Sequence, residues 1–135
     1  MKVGSYADVV FEVSEKKSLF FNNLKRSRNG RWESHEIIGK KPVPEFMGPG
    51  QDEITMDVLL RAELGVNPKK ELEKLEKIVT EGTAYYFLLG GKKISQNKWY
   101  LESFEESHEV VNNKGESLTV NVTLNLKEYT YPKRE

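Results

Sequence analysis

Alternation with a period of two residues dominates this chain. From Ile54, the residues Ile54, Met56, Val58, Leu60 and Ala62 fall on one face, while Thr55, Asp57, Arg61 and Glu63 fall on the other. The stretch "SLTVNVTLNLK" is more regular: Leu118, Val120, Val122, Leu124 and Leu126 alternate with Thr119, Asn121, Thr123, Asn125 and Lys127. Such patterns predict strands buried on one side. Ala7, Val9, Phe11 and Val13 repeat the pattern near the N-terminus, and "YYFLLGG", apolar on both faces, is expected centrally in a sheet or against a helix. Turn residues separate these runs at Asn29-Gly30, at Gly90-Gly91 and at "NNKG" from Asn112 to Gly115.

The period changes once, in "NPKKELEKLEKIVTEG". Asn67 is placed to cap a helix, Pro68 suits its first position and Gly82 its end, which predicts a helix over about 67–81. Leu72, Leu75, Ile78 and Val79 share one stripe, so the helix should lie across a sheet. Between Gly39 and Asp52 the chain carries three of its five prolines, Pro42, Pro44 and Pro49. Prolines remove ladder donors, so this stretch reads as a loop or an edge crossing. Its fourteen residues are long for a connector and favour a functional arm. The resulting fold class is mainly β (α+β), an antiparallel sandwich or barrel with one packed helix.

At 135 residues the chain suffices for one domain, 1–135, with the Pro/Gly-rich arm at 39–52 and a short flexible tail at 130–135. The 21 basic residues equal the 21 acidic ones, which argues against bulk electrostatic capture of nucleic acid or an anionic membrane. No cysteine is present, so disulfides and thiolate chemistry are excluded. The opening "MKVGSYADVVFEVSE" is broken by Asp8 and Glu12 and is neither a signal peptide nor a membrane span. A reducing cytoplasm is the expected compartment of folding.

Two constellations could carry chemistry. The tetrapeptide "ESHE" occurs at Glu33–Glu36 and again at Glu106–Glu109, and holds both histidines. Were the two strands paired in register, Glu33, His35, Glu106 and His108 could converge as a metal site. The plainer reading is two solvated strand faces. The run "KRSRNGR" places Lys25, Arg26, Arg28 and Arg31 between Phe20, Phe21 and Trp32. From Lys16 to Lys41 there are eight basic residues against two acidic ones, a pattern that a β barrel binding single-stranded nucleic acid could use. The alternative is a loop that pairs with acidic surface such as "ESFEESHE", on this chain or another. "GPG" at 48–50 lacks a phosphate loop's lysine, and no Gly-x-Ser-x-Gly elbow occurs. Nothing resembles a catalytic set, and no enzyme activity, metal or cofactor is expected.

Taken together, "RWESHEIIGKKPVPEFMGPGQDEITMDVLL" (Arg31 to Leu60), "LGVNPKKELEKL", "LLGGKK", "KWYLESFEE" and "TLNLKEY" resemble, in this order, the minor tail protein U family of contractile-tailed phages and phage-tail-like bacteriocins. The resemblance runs from about Val9 to Tyr129. It implies a structural component with a tail-tube-like β fold, assembled as a homo-oligomeric, hexameric ring at the baseplate end of the tube. The implied partners are the tail tube protein, the tape-measure protein, and the baseplate hub with its LysM-type tail protein; no membrane or specific nucleic acid is implied. The implied location is a virion tail or bacteriocin particle put together in the bacterial cytoplasm. The family supplies no catalytic residues. From the residues themselves, the candidate contacts are Pro44, Phe46 and Met47 on the arm. Arg26, Arg28 and Arg31 are expected to meet acidic groups of a neighbour, and sheets are expected to join edge to edge.

Overall fold

The computed structural model describes residues 2–7, 9–13 and 18–130. Ten strands and one α-helix account for most of it: β1 Lys2–Tyr6, β2 Val9–Val13, β3 Ser18–Ser27, β4 Gly30–His35, β5 Val43–Pro49, β6 Glu53–Arg61, α1 Pro68–Glu81, β7 Phe87–Leu89, β8 Lys92–Lys93, β9 Lys98–Val111 and β10 Ser117–Tyr129. Eight strands form one antiparallel sheet in the order β8-β7-β1-β2-β3-β6-β10-β9, and β4 pairs with β5 as a separate ribbon.

The two most regular alternations make the centre of the core. β6 and β10 pair without a register break, setting Ile54 opposite Leu126, Met56 opposite Leu124, Val58 opposite Val122 and Leu60 opposite Val120. All eight side chains are buried. Burying one such side chain contributes roughly 1.5–3 kcal/mol, so this double row is a major part of what holds the sheet together. The helix covers it as its stripe predicts, packing over β10, β9, β6 and β2. Leu75 and Ile78 are buried and Leu72 and Val79 half-buried. Its ends follow the capping residues: the Asn67 side chain accepts from the Lys70 N–H (3.3 Å), and Gly82, at φ 66°, returns its N–H to the Ile78 carbonyl.

The fold is mainly β (α+β) as expected, and the sheet does not close into a barrel. It curls until its ends meet at one isolated bridge between Tyr85, just before β7, and Trp99 of β9. The Tyr85 N–H donates to the Trp99 carbonyl (2.8 Å) and the Trp99 N–H to the Tyr85 carbonyl (2.7 Å). The Tyr6 hydroxyl, from β1, donates to the same Trp99 carbonyl (2.8 Å). The Tyr6 ring sits edge-on to Tyr85 and beside Phe87. Close approach on this side needs Gly4: a Cβ there would lie 2.4 Å from the Leu88 carbonyl oxygen across the β1–β7 pair.

Several positions depart from the sequence-based expectation. Ala62 leaves the β6 alternation, because the chain turns into a short 3-10 helix at Ala62–Leu64 and exposes it. In β10 the alternation slips: register shifts on both sides of Thr119 bury that threonine and expose Leu118. Ala7 forms the β1–β2 turn at φ 53° instead of opening a strand. The "YYFLLGG" segment is not central in the strand order; β7 is second from one end, although Phe87 is buried. The Gly90-Gly91 and Asn112–Gly115 turns form hairpins as expected, with all three glycines at positive φ. The side chains of Phe11, Val13 and Phe20, residues Lys16 and Lys17, and the tail from 131 onward lie outside the described residues.

Burial, and secondarily the neighbouring Tyr85, pushes the Tyr6 phenol well above its ordinary value of 10. A raised folded-state value means that Tyr6 supports the fold fully below pH 10 and progressively less as pH climbs toward that raised value. Replacing Tyr6 with Phe should cost about 1 kcal/mol at neutral pH, the worth of one hydrogen bond. It should also reduce the alkaline loss of stability. Urea unfolding of both proteins at pH 7 and pH 11 checks each part.

Candidate functional site

The β4–β5 ribbon is the part of the molecule least explained by its own core. It is built from the stretch expected to be a proline-rich arm, and the expectation of a loop from 39 to 52 is corrected: Val43–Pro49 is a strand. The edge alternative holds, since β5 pairs only with β4 among the described residues. The prolines are compatible with this because Pro44, opposite Ser34, turns its missing donor to the outer edge of a two-stranded ladder. A Pro on that edge blunts further strand addition.

Directly opposed residues share a face, so the register makes the ribbon amphipathic. Trp32 opposes Phe46 and Ser34 opposes Pro44 on one face; Glu33 opposes Glu45 and His35 opposes Val43 on the other. Trp32 and Phe46 stack at 5.0 Å between ring centroids. They lie across Gly30, where a Cβ would come within 2.9 Å of the indole nitrogen and 3.2 Å of the Phe46 ring. Met47 falls at the register break between Arg31 and Trp32. The Arg31 guanidinium donates to the Met47 carbonyl (2.9 Å) and holds that bulge.

Exposure makes this face unusual. Trp32 is 62% exposed, Phe46 56% and Met47 47%. Of the eleven large hydrophobic side chains exposed among the described residues, six lie on the ribbon or its tip (Trp32, Ile37, Ile38, Val43, Phe46, Met47) and three more near the turn of the β9–β10 hairpin (Val110, Val111, Leu118). Scattered exposed apolar residues are ordinary, whereas the stacked Trp32 and Phe46 with Met47 beside them make this ribbon the candidate contact surface.

The base of the ribbon is tied to the sheet by several polar contacts. Arg26 donates to the Asp52 carboxylate (2.8 Å) and to the Ile94 carbonyl (3.1 Å), with its guanidinium 5.6 Å from the centre of the Trp99 ring. Arg28 lies 3.5 Å from the same carboxylate, and the Gly50 N–H donates to the Asn29 carbonyl (2.7 Å). The acidic partner of Arg26 and Arg28 in the folded chain is therefore Asp52, directly before β6. Arg28 remains largely exposed, while Arg26 is half-buried and committed to this corner.

The two "ESHE" copies do not come together. β4 pairs with β5 and β9 with β10, so the first copy meets Glu45 and the second stays with β10. Sequence reasoning missed Glu45 because the cross-ribbon register is not written in any local pattern. The His35 imidazole contacts the Glu45 carboxylate, and the ligand atoms of Glu33, His35 and Glu45 all lie within 4.8 Å of one another. All three groups are exposed, and exposed acidic clusters of this kind are common without a bound cation. His108 contacts Glu106 (3.0 Å) on β9.

A family model described as Phage P2 GpU matches residues 7–130 of the chain. No curated protein matches it.

Replacing Arg26 with Met should destabilise the fold by about 1.5–3 kcal/mol, because Asp52 and the Ile94 carbonyl lose a charged donor in a half-buried corner. Replacing Arg28 with Met, at a mainly exposed position, should cost under about 1 kcal/mol. Chemical unfolding of the two variants side by side checks the ordering.

Proposed function

The chain belongs to the Phage P2 GpU family and is a phage tail structural protein; from that premise we propose that it assembles as a homo-oligomeric ring, a hexamer, at the baseplate end of a contractile tail tube. In this position it links the tube and tape-measure protein to the central hub with its LysM-type protein, in a phage or a bacteriocin particle put together in the bacterial cytoplasm. The observation that carries the reading is the preformed β4–β5 ribbon, which presents Trp32, Phe46 and Met47 to solvent from a base locked by Arg26 and Asp52. An anchored ribbon loses little conformational freedom on docking, so its apolar face is available for association at low entropic cost.

The same features favour contact through the ribbon over simple edge-to-edge joining of sheets. The two ends of the large sheet already meet at Tyr85 and Trp99, and Pro44 blunts the ribbon's outer edge. They also draw support away from single-stranded nucleic acid binding. Arg26 is engaged with Asp52 and Arg31 with the Met47 carbonyl, and the net charge is zero. A role without catalysis fits a surface whose distinguishing chemistry is apolar exposure.

Phe46→Ser combined with Met47→Ser should leave the monomer's thermal transition within a few degrees of the parent and prevent its incorporation into tail particles. Sedimentation of tails assembled with the variant reads this. Particles that retain the variant at parental occupancy would contradict the proposal.

A further inference from the structure

The molecule carries a second unexplained surface, at the opposite end of β6 from the ribbon. A groove of about 730 Å³ lies between α1 and the β9–β10 hairpin. Leu72, Val66 and Leu118 are among its apolar lining residues, and Glu73, Glu76, Glu106 and Glu116 stand around it, with Lys69 and His108, the latter in contact with Glu106, as its basic residues. Leu118 is exposed here because of the β10 register slip.

The tip of the ribbon has the complementary chemistry. Residues 37–41 read Ile-Ile-Gly-Lys-Lys. The Lys40 N–H donates to the Ile37 carbonyl (3.1 Å) and Gly39 sits at φ 74°, the third position of a tight turn that requires positive φ. The turn lifts Ile38 to the apex, where its side chain is fully exposed, and places Lys40 and Lys41 directly behind it. An apolar apex followed by two cations faces, in shape and charge, an apolar floor with four carboxylates.

The ribbon rejoins the sheet at Asp52, before β6 begins, and the groove begins at Ala62, after β6 ends. Nine residues of strand separate the two by about 30 Å. Two different surfaces of complementary chemistry on one molecule generate a head-to-tail contact, which closes into a ring when its rotation allows.

We infer that the ribbon tip, Ile37–Lys41, of one copy seats in the groove between α1 and the β9–β10 hairpin of the next copy, with Ile38 against Leu72 and Leu118 and the two lysines among the groove glutamates. The inference rests on the ring reading above and names the acceptor surface that the ring would use.

The absence of cysteine permits a clean test. Tail particles carrying Ile38→Cys together with Leu118→Cys are oxidised, and the chain is resolved on a denaturing gel while the same particles are imaged. The expected result is a ladder of covalent multimers of this chain, with neither single-cysteine variant giving it. As a second arm, Lys40→Glu with Lys41→Glu should lower incorporation into particles at least tenfold at low salt. Glu73→Lys with Glu76→Lys should do the same, and the four changes together should restore it. Particles that show this chain as a ring but give neither ladder nor rescue would overturn the groove assignment and leave the ring standing. Particles without such a ring would overturn the ring reading itself.

Discussion

Trp99 is fully buried, and its surroundings tie together parts of the chain that are far apart in sequence. Its backbone N–H and carbonyl pair with Tyr85, its carbonyl also accepts from the Tyr6 hydroxyl, its indole N–H donates to Ser95, and its ring lies beneath the Arg26 guanidinium. The first two contacts fasten β9, at one end of the sheet, to the β1–β7 region near the other end. The last fastens both to the base of the ribbon. Curvature of the sheet and direction of the ribbon thus depend on a single corner, and a backbone group left unpaired there would carry the full penalty of burial.

From that corner the distribution of apolar surface follows. The paired rows of β6 and β10, covered by α1, use up the alternating hydrophobic positions, so the ribbon has no place against the core. It stands apart with an aromatic pair on one face and a charged set on the other. At the far end of β6, the β10 register slip turns Leu118 outward beside the helix and opens an acidic groove. The ribbon and the groove thus hold most of the large apolar side chains exposed among the described residues, and these are the surfaces that the proposed ring would use. This agrees with the chain's membership of a phage tail family.

Much of this fold was legible in the sequence, for reasons that are local. Alternation over Ile54–Leu60 and Val120–Leu126 reports a buried face directly, and Asn67, Pro68 and Gly82 act within one turn of the helix ends that they define. Phe46 and Met47 were singled out for having no place in a recognisable strand, and that reason is corrected: both lie in β5, with their side chains exposed. What escaped detection depends on register. Proline argues against strand structure, yet Pro44 and Pro49 lie in β5, since a two-stranded ribbon has an outer edge that needs no donor. The slip at Thr119 and the turn at Ala62 break otherwise regular patterns for tertiary reasons. The meeting of Glu45 with the first "ESHE", instead of the second copy, is a pairing choice between strands. The Trp99 corner joins residues up to 93 positions apart and leaves no mark in any window of sequence.

The central claim is that the ribbon is a preformed arm, held at its base and waiting for another subunit. Hydrogen–deuterium exchange of the isolated chain and of the same chain within assembled tails tests this most directly. The account predicts that the β4 and β5 ladder amides are already partly protected in the isolated chain, as a preformed ribbon requires, and become more strongly protected on assembly, while those of β6 and β10 are slow in both. Ribbon amides that exchange equally fast in the particle and in isolation would contradict it.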